Sequence, residues 1–373
     1  MSRQLTFCID MGFSMLKDQL DAIQQKAKER TVKTQTVEYD LETLVKKIKR
    51  EIIRLNPDYQ RNHRWPDSFS SKLIESLILN IPIPIVYISQ DVDVDDETED
   101  ELARYSVIDG QQRLTAIYNF FNGSYALQSL EVLSELNGAY YKDLPPFLIR
   151  RLEERTIRCL RIDSTVDTQV KFDIFERLNS GSVKLEAQEL RNATCRGPFK
   201  DMVKSLAKNA TFAELANLDP DSTRIKKMED EELVLRFFAI SHNDGYKEYK
   251  GQFKKFLTRK MVEFNKLEAP ELREMKENFL RTMKLTKESF GTKPFAKWKN
   301  PEGQGFAIMS SFNAAVFDAV AYAFSKPQLN AIPTYEKFME LFSDPGFFEA
   351  VEGSVNDVSK VNVRIRKAQE LIK

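Results

Sequence analysis

Residues 105–113 read YSVIDGQQR and carry the clearest structural pattern of the chain. The first residues of this stretch form a short apolar alternation that is typical of a strand, and Leu114, Ile117 and Phe121 follow at helical spacing. The pattern therefore predicts a strand, a tight turn and a helix that begins at or near Gln111. We expect the polar residues of this stretch to lie on that strand-to-helix turn.

The predicted turn carries residue types that suit a phosphate group. Gly110 lets a backbone or a phosphate come close, and the first N–H groups of the following helix are free to bind an anion. The guanidinium of Arg113 is a planar fork of donors that matches phosphate oxygens. Asp109, at the exit of the strand, is placed to hold a metal ion, a ribose hydroxyl or a water molecule. The residues predict a nucleotide or phosphodiester site.

The composition of the chain argues against several classes of protein. Acidic and basic residues balance at 56 each, so any DNA contact requires a local basic patch. The three cysteines form no CxxC pair and the two histidines lie in no recognisable motif. This argues against a disulfide framework, a zinc site, an HNH-type nuclease and a Ser-His-Asp hydrolase. Because the sequence has no membrane-length apolar run and no secretory pattern at its start, we expect a soluble cytoplasmic protein.

The periodicity of the sequence predicts three parts. Residues 1–34 read as a polar helical leader, residues 35–195 mix helical and strand patterns, and residues 196–373 are dominated by amphipathic helices. The acidic run at 91–101 is expected to be a solvated loop between two strands. The predicted fold class is α+β, a mixed α/β domain followed by an all-helical domain.

Within the mixed part, the sequence predicts several short elements. Helical patterns fall at about residues 41–48, 69–78, 111–122, 147–154, 167–178 and 185–193, and strand patterns at 52–55, 81–88, 105–108 and 157–162. The helix at 69–78 is predicted to bury Phe69, Leu73, Leu77 and Ile78.

Three polar clusters lie at the ends of predicted elements, where backbone groups are free and side chains can converge. The first cluster is Tyr59-Gln60-Arg61 with Trp65, and the second is the turn at 109–113. The third combines residues 175–181 (FERLNSG) with residues 188–192 (QELRN).

In order and spacing, the three clusters resemble the DGQQR family found in GmrSD-type, modification-dependent restriction endonucleases. The segment VIDGQQRLT at 107–115 carries the family's signature, and the first and third clusters match its flanking motifs. The resemblance covers about residues 35–240. It implies a catalytic core similar to the ParB and sulfiredoxin fold, followed by the family's helical extension.

The resemblance also implies a function. It implies a nucleotide-binding, NTP-hydrolysing component of a phage-defence system that restricts DNA carrying modified bases. In the family this module is commonly fused to, or paired with, an HNH nuclease domain, but no His-rich motif follows residue 240 here. Three alternatives stay open: a separate HNH subunit cuts the DNA, the DGQQR turn is itself a metal-dependent nuclease site, or the chain is a non-enzymatic nucleotide sensor that binds a partner.

The family's signature implies a role for each residue of the turn. Asp109 and Arg113 are the implied catalytic residues, with Asp109 positioning Mg²⁺ or the attacking water and Arg113 holding phosphate charge. Gly110, Gln111 and Gln112 are implied to give backbone and amide contacts to a nucleoside triphosphate. Electrostatic positioning of this kind is the main requirement of phosphoryl transfer.

The flanking clusters complete the implied site. Arg61 is a second phosphate clamp, and Arg177 and Asn179 close the pocket from the third cluster. The residues themselves also allow plainer interpretations. Asp109 could simply cap the following helix, Arg61 could be a surface arginine in an ion pair, and the segment from Arg177 could be an ordinary helix C-terminus.

A basic run in the helical part is a weak candidate for nucleic-acid contact. Its members are Lys250, Lys254, Lys255 and Arg259. Such a run could follow a phosphate backbone, in which case binding would fall with salt, or it could be a solvated helix face. The partners expected are DNA and a separate nuclease subunit, with no membrane contact. The amphipathic helices leave self-association into a homo-oligomer open.

Overall fold

The computed structural model describes residues 20, 24, 32–55, 65–90, 105–163, 165–166, 168–178, 186–291, 293–300, 305–326 and 334–370. The chain forms two compact units, Met1–Leu178 and Asn179–Lys373. The predicted acidic loop at 91–101 and almost all of the predicted leader lie outside the described residues. The predicted domain boundary at residue 195 stays a prediction.

The first unit alternates strands and helices. Its elements are β1 (Thr34–Asp40), α1 (Leu41–Lys49), β2 (Ile53–Arg54), α2 (Asp67–Ile78), β3 (Val86–Gln90), β4 (Tyr105–Asp109), α3 (Gln111–Phe121), α4 (Pro146–Glu153), β5 (Thr156–Ile162) and α5 (Thr168–Leu178). Two short 3₁₀ helices, Ser134–Leu136 and Tyr141–Asp143, lie between α3 and α4.

The five strands form one mixed sheet in the order β1-β5-β3-β4-β2. The pairs β1–β5 and β3–β4 are antiparallel, and the pairs β3–β5 and β2–β4 are parallel. The register between β3 and β4 shifts between Tyr87 and Ile88, and Tyr87 pairs with Asp109. The irregularity therefore lies directly beside the end of β4, where the candidate turn begins.

The apolar sides of α1 to α4 form one core with the sheet. Leu44 of α1, Ile74 of α2 and Ile117 of α3 are fully buried. The helices at 111–121 and 146–153 and the strands at 105–109 and 156–162 confirm the predicted elements. The α+β fold class is confirmed as well.

One prediction for the first unit is wrong, and one strand is not predicted. The sequence pattern predicts Phe69 on the inner face of α2, but it is 60% exposed, because Ser70 and Ser71 occupy the buried side of the first turn. The Ser71 hydroxyl accepts a hydrogen bond from the Gln128 backbone N–H at 3.0 Å, which explains a polar residue there. The strand β1 is absent from the prediction, since most of its residues are exposed and it lies at a sheet edge.

Helices dominate the second unit, as predicted. Its elements are α6 (Ala187–Thr194), α7 (Pro198–Ala207), α8 (Ala210–Leu215), α9 (Thr223–Lys226), α10 (Glu229–Ser241), α11 (Phe253–Phe264), α12 (Ala269–Phe290), β6 (Lys297–Lys299), β7 (Ala307–Ser310), α13 (Ala314–Phe324), α14 (Tyr335–Glu340), α15 (Pro345–Ala350) and α16 (Val358–Glu370), with 3₁₀ helices at His242–Glu248 and Leu341–Ser343.

Phenylalanine builds much of the core of the second unit. Phe237 lies edge-on to Phe238 and to Phe279, with ring centroids 5.1 Å apart in both pairs. Edge-to-face contacts of this kind stabilise a core beyond simple burial. The small antiparallel pair β6–β7 is an addition that the sequence did not indicate. Among the helices described, none has the length and apolar character needed to cross a membrane.

A buried carboxylate fixes the chain that follows α3. Glu75 of α2 is buried and accepts hydrogen bonds from the backbone N–H groups of Val132 at 2.8 Å and Leu133 at 2.7 Å. A third, longer bond comes from the N–H of Glu131 at 3.3 Å. Burial acts to raise the pKa of the Glu75 carboxyl, but the three backbone donors outweigh it and hold the pKa below its usual value.

The substitution Glu75→Gln should lower the free energy of unfolding by about 1–3 kcal/mol at pH 7, because charge-assisted bonds to buried donors are lost. A carboxyl with a depressed folded pKa contributes stability above the unfolded value of 4.5, and this contribution disappears as the pH falls through the folded pKa. Urea unfolding at pH 7 and pH 4 should therefore show a smaller difference at pH 4. The exposed Glu135→Gln is the control, and a difference independent of pH would contradict the assignment.

Candidate functional site

The residues 109–113, called the DGQQR turn from here on, connect the sheet to α3. Asp109 is the last residue of β4, and Gln111 is the first residue of α3. Gly110 between them has φ 95° and ψ 9°, in the left-handed region. Glycine adopts this conformation without the steric penalty of a Cβ, so the chain changes from strand to helix within one residue. The predicted strand–turn–helix arrangement is confirmed.

The turn lies tightly against the start of β3. A Cβ atom on Gly110 would come within 2.9 Å of Val86 Cγ2 and 3.2 Å of Arg113 Nη2. Contacts below 3.0 Å force a neighbour to move. Glycine is therefore required here both for its backbone conformation and for the space at its Cα.

Arg113 points inward and braces the turn. Its Nη2 donates to Asp109 Oδ2 at 2.7 Å and to the Ile85 carbonyl at 3.3 Å, and its Nη1 donates to the Pro84 carbonyl. The Arg113 side chain is mostly buried, whereas that of Asp109 is 42% exposed. Burial lowers the pKa of the Arg113 guanidinium, and the neighbouring Asp109 charge opposes that shift. Both Nη atoms have protein partners, and the implied contact between Arg113 and phosphate stays a prediction.

The two glutamines of the turn carry unsatisfied polar atoms. Gln111 is only 8% exposed, and neither its Oε1 nor its Nε2 has a hydrogen-bond partner within the described part of the chain. The Oε1 of Gln112 is also buried and has no hydrogen-bond partner among the described residues. Each such group costs about 1–3 kcal/mol of desolvation, so native proteins rarely keep them without a reason. The sequence indicated the glutamines but not their burial.

Cys159 of β5 lies near the guanidinium of Arg113 without being reactive. The thiol is fully buried, and burial raises its pKa to about 11 although the Arg113 charge acts in the opposite direction. A thiol with a raised pKa is not a nucleophile at neutral pH. Cys159 is therefore a packing residue beside the site.

The DGQQR turn offers one carboxylate, that of Asp109, to a metal ion. Where the structure describes the chain, no three His, Cys, Asp or Glu side chains come together as metal ligands. Asp109 by itself fits a Mg²⁺ ion that takes its other ligands from phosphate and water, which is how Mg²⁺ is often held in nucleotide sites.

The flanking clusters are described only in part. Tyr59, Gln60, Arg61 and Asn179 lie outside the described residues. Trp65 is half-buried and packs against the core of the first unit. Arg177 is exposed near the end of α5, and no hydrogen bond or ion pair joins it to the DGQQR turn where the chain is described. The implied roles of Arg61, Arg177 and Asn179 stay predictions.

The QELRN part of the third cluster forms a buried polar network in the second unit. Arg191 of α6 is fully buried, and its Nη1 donates to Gln188 Oε1 at 2.7 Å and to Glu232 Oε2 at 2.9 Å. Asn192 accepts from Gln188 at 3.1 Å and donates to Glu231 Oε2 at 2.7 Å. These partners are not among the residues that the sequence predicts, although four consecutive acidic residues at the start of α10 are a visible signal.

Residues 41–195 match the family described as the N-terminal domain of GmrSD restriction endonucleases. This part of the chain is similar to that family. The GmrSD-type domain, as we call residues 41–195, runs from the start of α1 to just beyond α6 and includes the DGQQR turn. It indicates a component of a restriction endonuclease system. A comparison with curated proteins gave no match.

The basic run beyond the GmrSD-type domain is exposed but partly neutralised. Its members Lys250, Lys254, Lys255 and Arg259 are all exposed. Arg259 forms ion pairs of 3.6 Å with both Glu248 and Glu263. Exposed pairs of this length contribute little to stability, and they reduce the positive charge presented to solvent. DNA contact by this run stays a prediction.

The substitution Gly110→Ala should destabilise the GmrSD-type domain more than Gly123→Ala does. Both glycines have positive φ, which costs alanine about 1–2 kcal/mol, but a Cβ on Gly123 meets no atom within 4 Å. The additional contact with Val86 should add about 1–3 kcal/mol at Gly110. Chemical unfolding of the two variants measures the difference, and equal losses would contradict the close contact.

The pair Arg191–Glu232 should show strong energetic coupling. Glu232→Gln removes the charged partner of a fully buried guanidinium, and because Glu232 is itself partly exposed we expect a loss of about 1–3 kcal/mol. Adding Arg191→Met should recover part of that loss, since no buried charge then remains. A double-mutant cycle by urea unfolding measures the coupling. The exposed pair Arg158–Glu38 is the control and should couple by less than about 1 kcal/mol.

Proposed function

We propose that the GmrSD-type domain binds a nucleoside triphosphate at the DGQQR turn and hydrolyses it as a component of a DNA-restriction system. The observation that carries this proposal is the pair of adjacent glutamines, Gln111 and Gln112, with buried amide atoms that lack partners. They lie on the first turn of α3, where free N–H groups and the helix dipole favour an anion. A phosphate oxygen of a bound nucleotide would accept from the Nε2 of Gln111, and a water or a hydroxyl or amino group would donate to the Oε1 atoms of Gln111 and Gln112.

Asp109 and Arg113 have complementary roles in this proposal. The bond from Arg113 Nη2 holds one oxygen of the Asp109 carboxylate, while the side chain remains 42% exposed. Asp109 would hold a Mg²⁺ ion that arrives with the nucleotide, and the ion would supply charge neutralisation at the phosphates. Arg113 keeps the carboxylate oriented and places one positive charge behind it.

The chemistry of the turn favours triphosphate hydrolysis over cutting of DNA at the same site. Phosphoryl transfer from a nucleotide depends mainly on positioning and charge neutralisation, which a helix N-terminus, two amides and one carboxylate can supply. A two-metal nuclease needs several carboxylates or histidines around the ions, and the described residues hold no such group. We therefore propose that an HNH-type nuclease domain or subunit outside residues 41–195 cuts the DNA, including DNA with modified bases.

The test is phosphate release from ATP, GTP, CTP and UTP with Mg²⁺. The wild-type protein should turn over at least one of them, and Asp109→Ala should lower the rate by about 100-fold or more, because the carboxylate that holds the ion is lost. Asp143→Ala, an exposed aspartate of the same domain, is the matched control and should keep the wild-type rate. Melting curves show whether each variant is folded.

Other outcomes of the same experiment distinguish the competing functions. Absence of phosphate release from every nucleotide, with and without DNA, would contradict hydrolysis by this chain. Plasmid nicking with Mg²⁺ and no nucleotide would support a nuclease at the turn instead. A nucleotide-induced rise in melting temperature without turnover would support a sensor, since a ligand that binds only the folded state stabilises it.

A further inference from the structure

Gln111 differs from the other side chains of the DGQQR turn because both of its polar atoms lack partners. Its Oε1 and Nε2 are buried without a hydrogen bond among the described residues. Asp109 and Arg113, by contrast, are bonded to each other, and Arg113 also binds two backbone carbonyls. Gln111 therefore offers a ligand one free hydrogen-bond donor and one free acceptor side by side.

The chemistry of a phosphate does not satisfy this side chain. Phosphate oxygens only accept hydrogen bonds, so a phosphate would pair with the Nε2 of Gln111 and leave Oε1 unsatisfied. A water molecule donates as well as accepts. A water and a phosphate oxygen side by side would satisfy both atoms, and this is the arrangement that precedes attack of water on a phosphoryl group.

We propose that Gln111 positions the attacking water for nucleotide hydrolysis; this inference rests on the proposed function. Oε1 accepts a hydrogen bond from the water, and Nε2 donates to an oxygen of the terminal phosphate. The water oxygen bonds to the terminal phosphorus, and the bond from that phosphorus to the bridging oxygen breaks with its electron pair leaving on the nucleoside diphosphate. The proton lost by the water ends on the released phosphate, so the amide gains and loses no proton.

The burial of Gln111 explains how one amide could suffice. At 8% exposure, bulk water competes little for its donor and acceptor, and a single held water is oriented without reorganisation of solvent. The same burial makes Gln111 unfavourable in the unliganded protein, because its amide has lost its hydration without gaining a partner. Because Gln111 acts in catalysis but destabilises the free protein, its substitution should lower the activity and raise the stability.

The experiment replaces Gln111 by methionine, which has nearly the same length and no amide. Gln111→Met should weaken the Kd for nucleotide by no more than about tenfold, since one of several phosphate contacts is lost, whereas kcat should fall by about 100-fold or more, the range typical for loss of a group that positions a proton-bearing reactant. Its melting temperature without nucleotide should be higher than that of wild type, because an unpaired buried amide has been removed. Gln128→Met, at an exposed glutamine of the same domain, should change none of the three quantities.

Each alternative gives a different result. An unchanged kcat, or a Kd that weakens as much as kcat falls, would overturn the proposal, the second outcome indicating that Gln111 only binds phosphate. A lower melting temperature would show a structural role instead. Gln111→Asn, which keeps the amide one carbon shorter, should recover part of kcat if positioning is the role. A wild-type protein without turnover would refute the proposed function itself, which is separate from any failure of the Gln111 variants.

Discussion

The candidate site depends on the ion pair between Arg113 and Asp109. Arg113 lies one helical turn after Asp109, and its guanidinium joins the end of β4 to the carbonyls of Pro84 and Ile85, just before β3. Because Arg113 is mostly buried and also bonds two backbone carbonyls, the pair is stronger than one between two exposed side chains, although Asp109 is 42% exposed. It fixes the direction in which α3 leaves the sheet, and so the position of every amide in the first turn of that helix.

The turn combines this rigid brace with groups that are left unsatisfied. Gly110 can take the left-handed conformation and fit against Val86, whereas the buried amide of Gln111 has no partner among the described residues. A polar atom buried without a hydrogen bond reduces stability, and functional sites are among the places where proteins retain such atoms. A preorganised site of this kind requires little rearrangement when its ligand binds.

The C-terminal end of the GmrSD-type domain is bonded to residues that lie outside the family match. Its last helix, α6, carries Arg191 and Asn192, and both bind carboxylates of α10 outside the family match. Removing α10 would leave a fully buried guanidinium without its counter-charge, a strongly destabilising change. The QELRN part of the third cluster is therefore held in place by α10, which the family match does not include.

The sequence by itself determined the local elements, because the alternation before Asp109 and the helical spacing after Gly110 depend only on neighbouring residues. It also indicated the family resemblance, through motifs that are short and linear. Tertiary structure decided what these residues contact. The acceptors of Arg113 lie 28 and 29 residues away and the partner of Arg191 lies 41 residues away, distances over which periodicity carries no information. The exposure of Phe69 and the burial of Glu75 and Gln111 likewise follow from packing against distant chain, since only the folded core sets which side of a helix is covered.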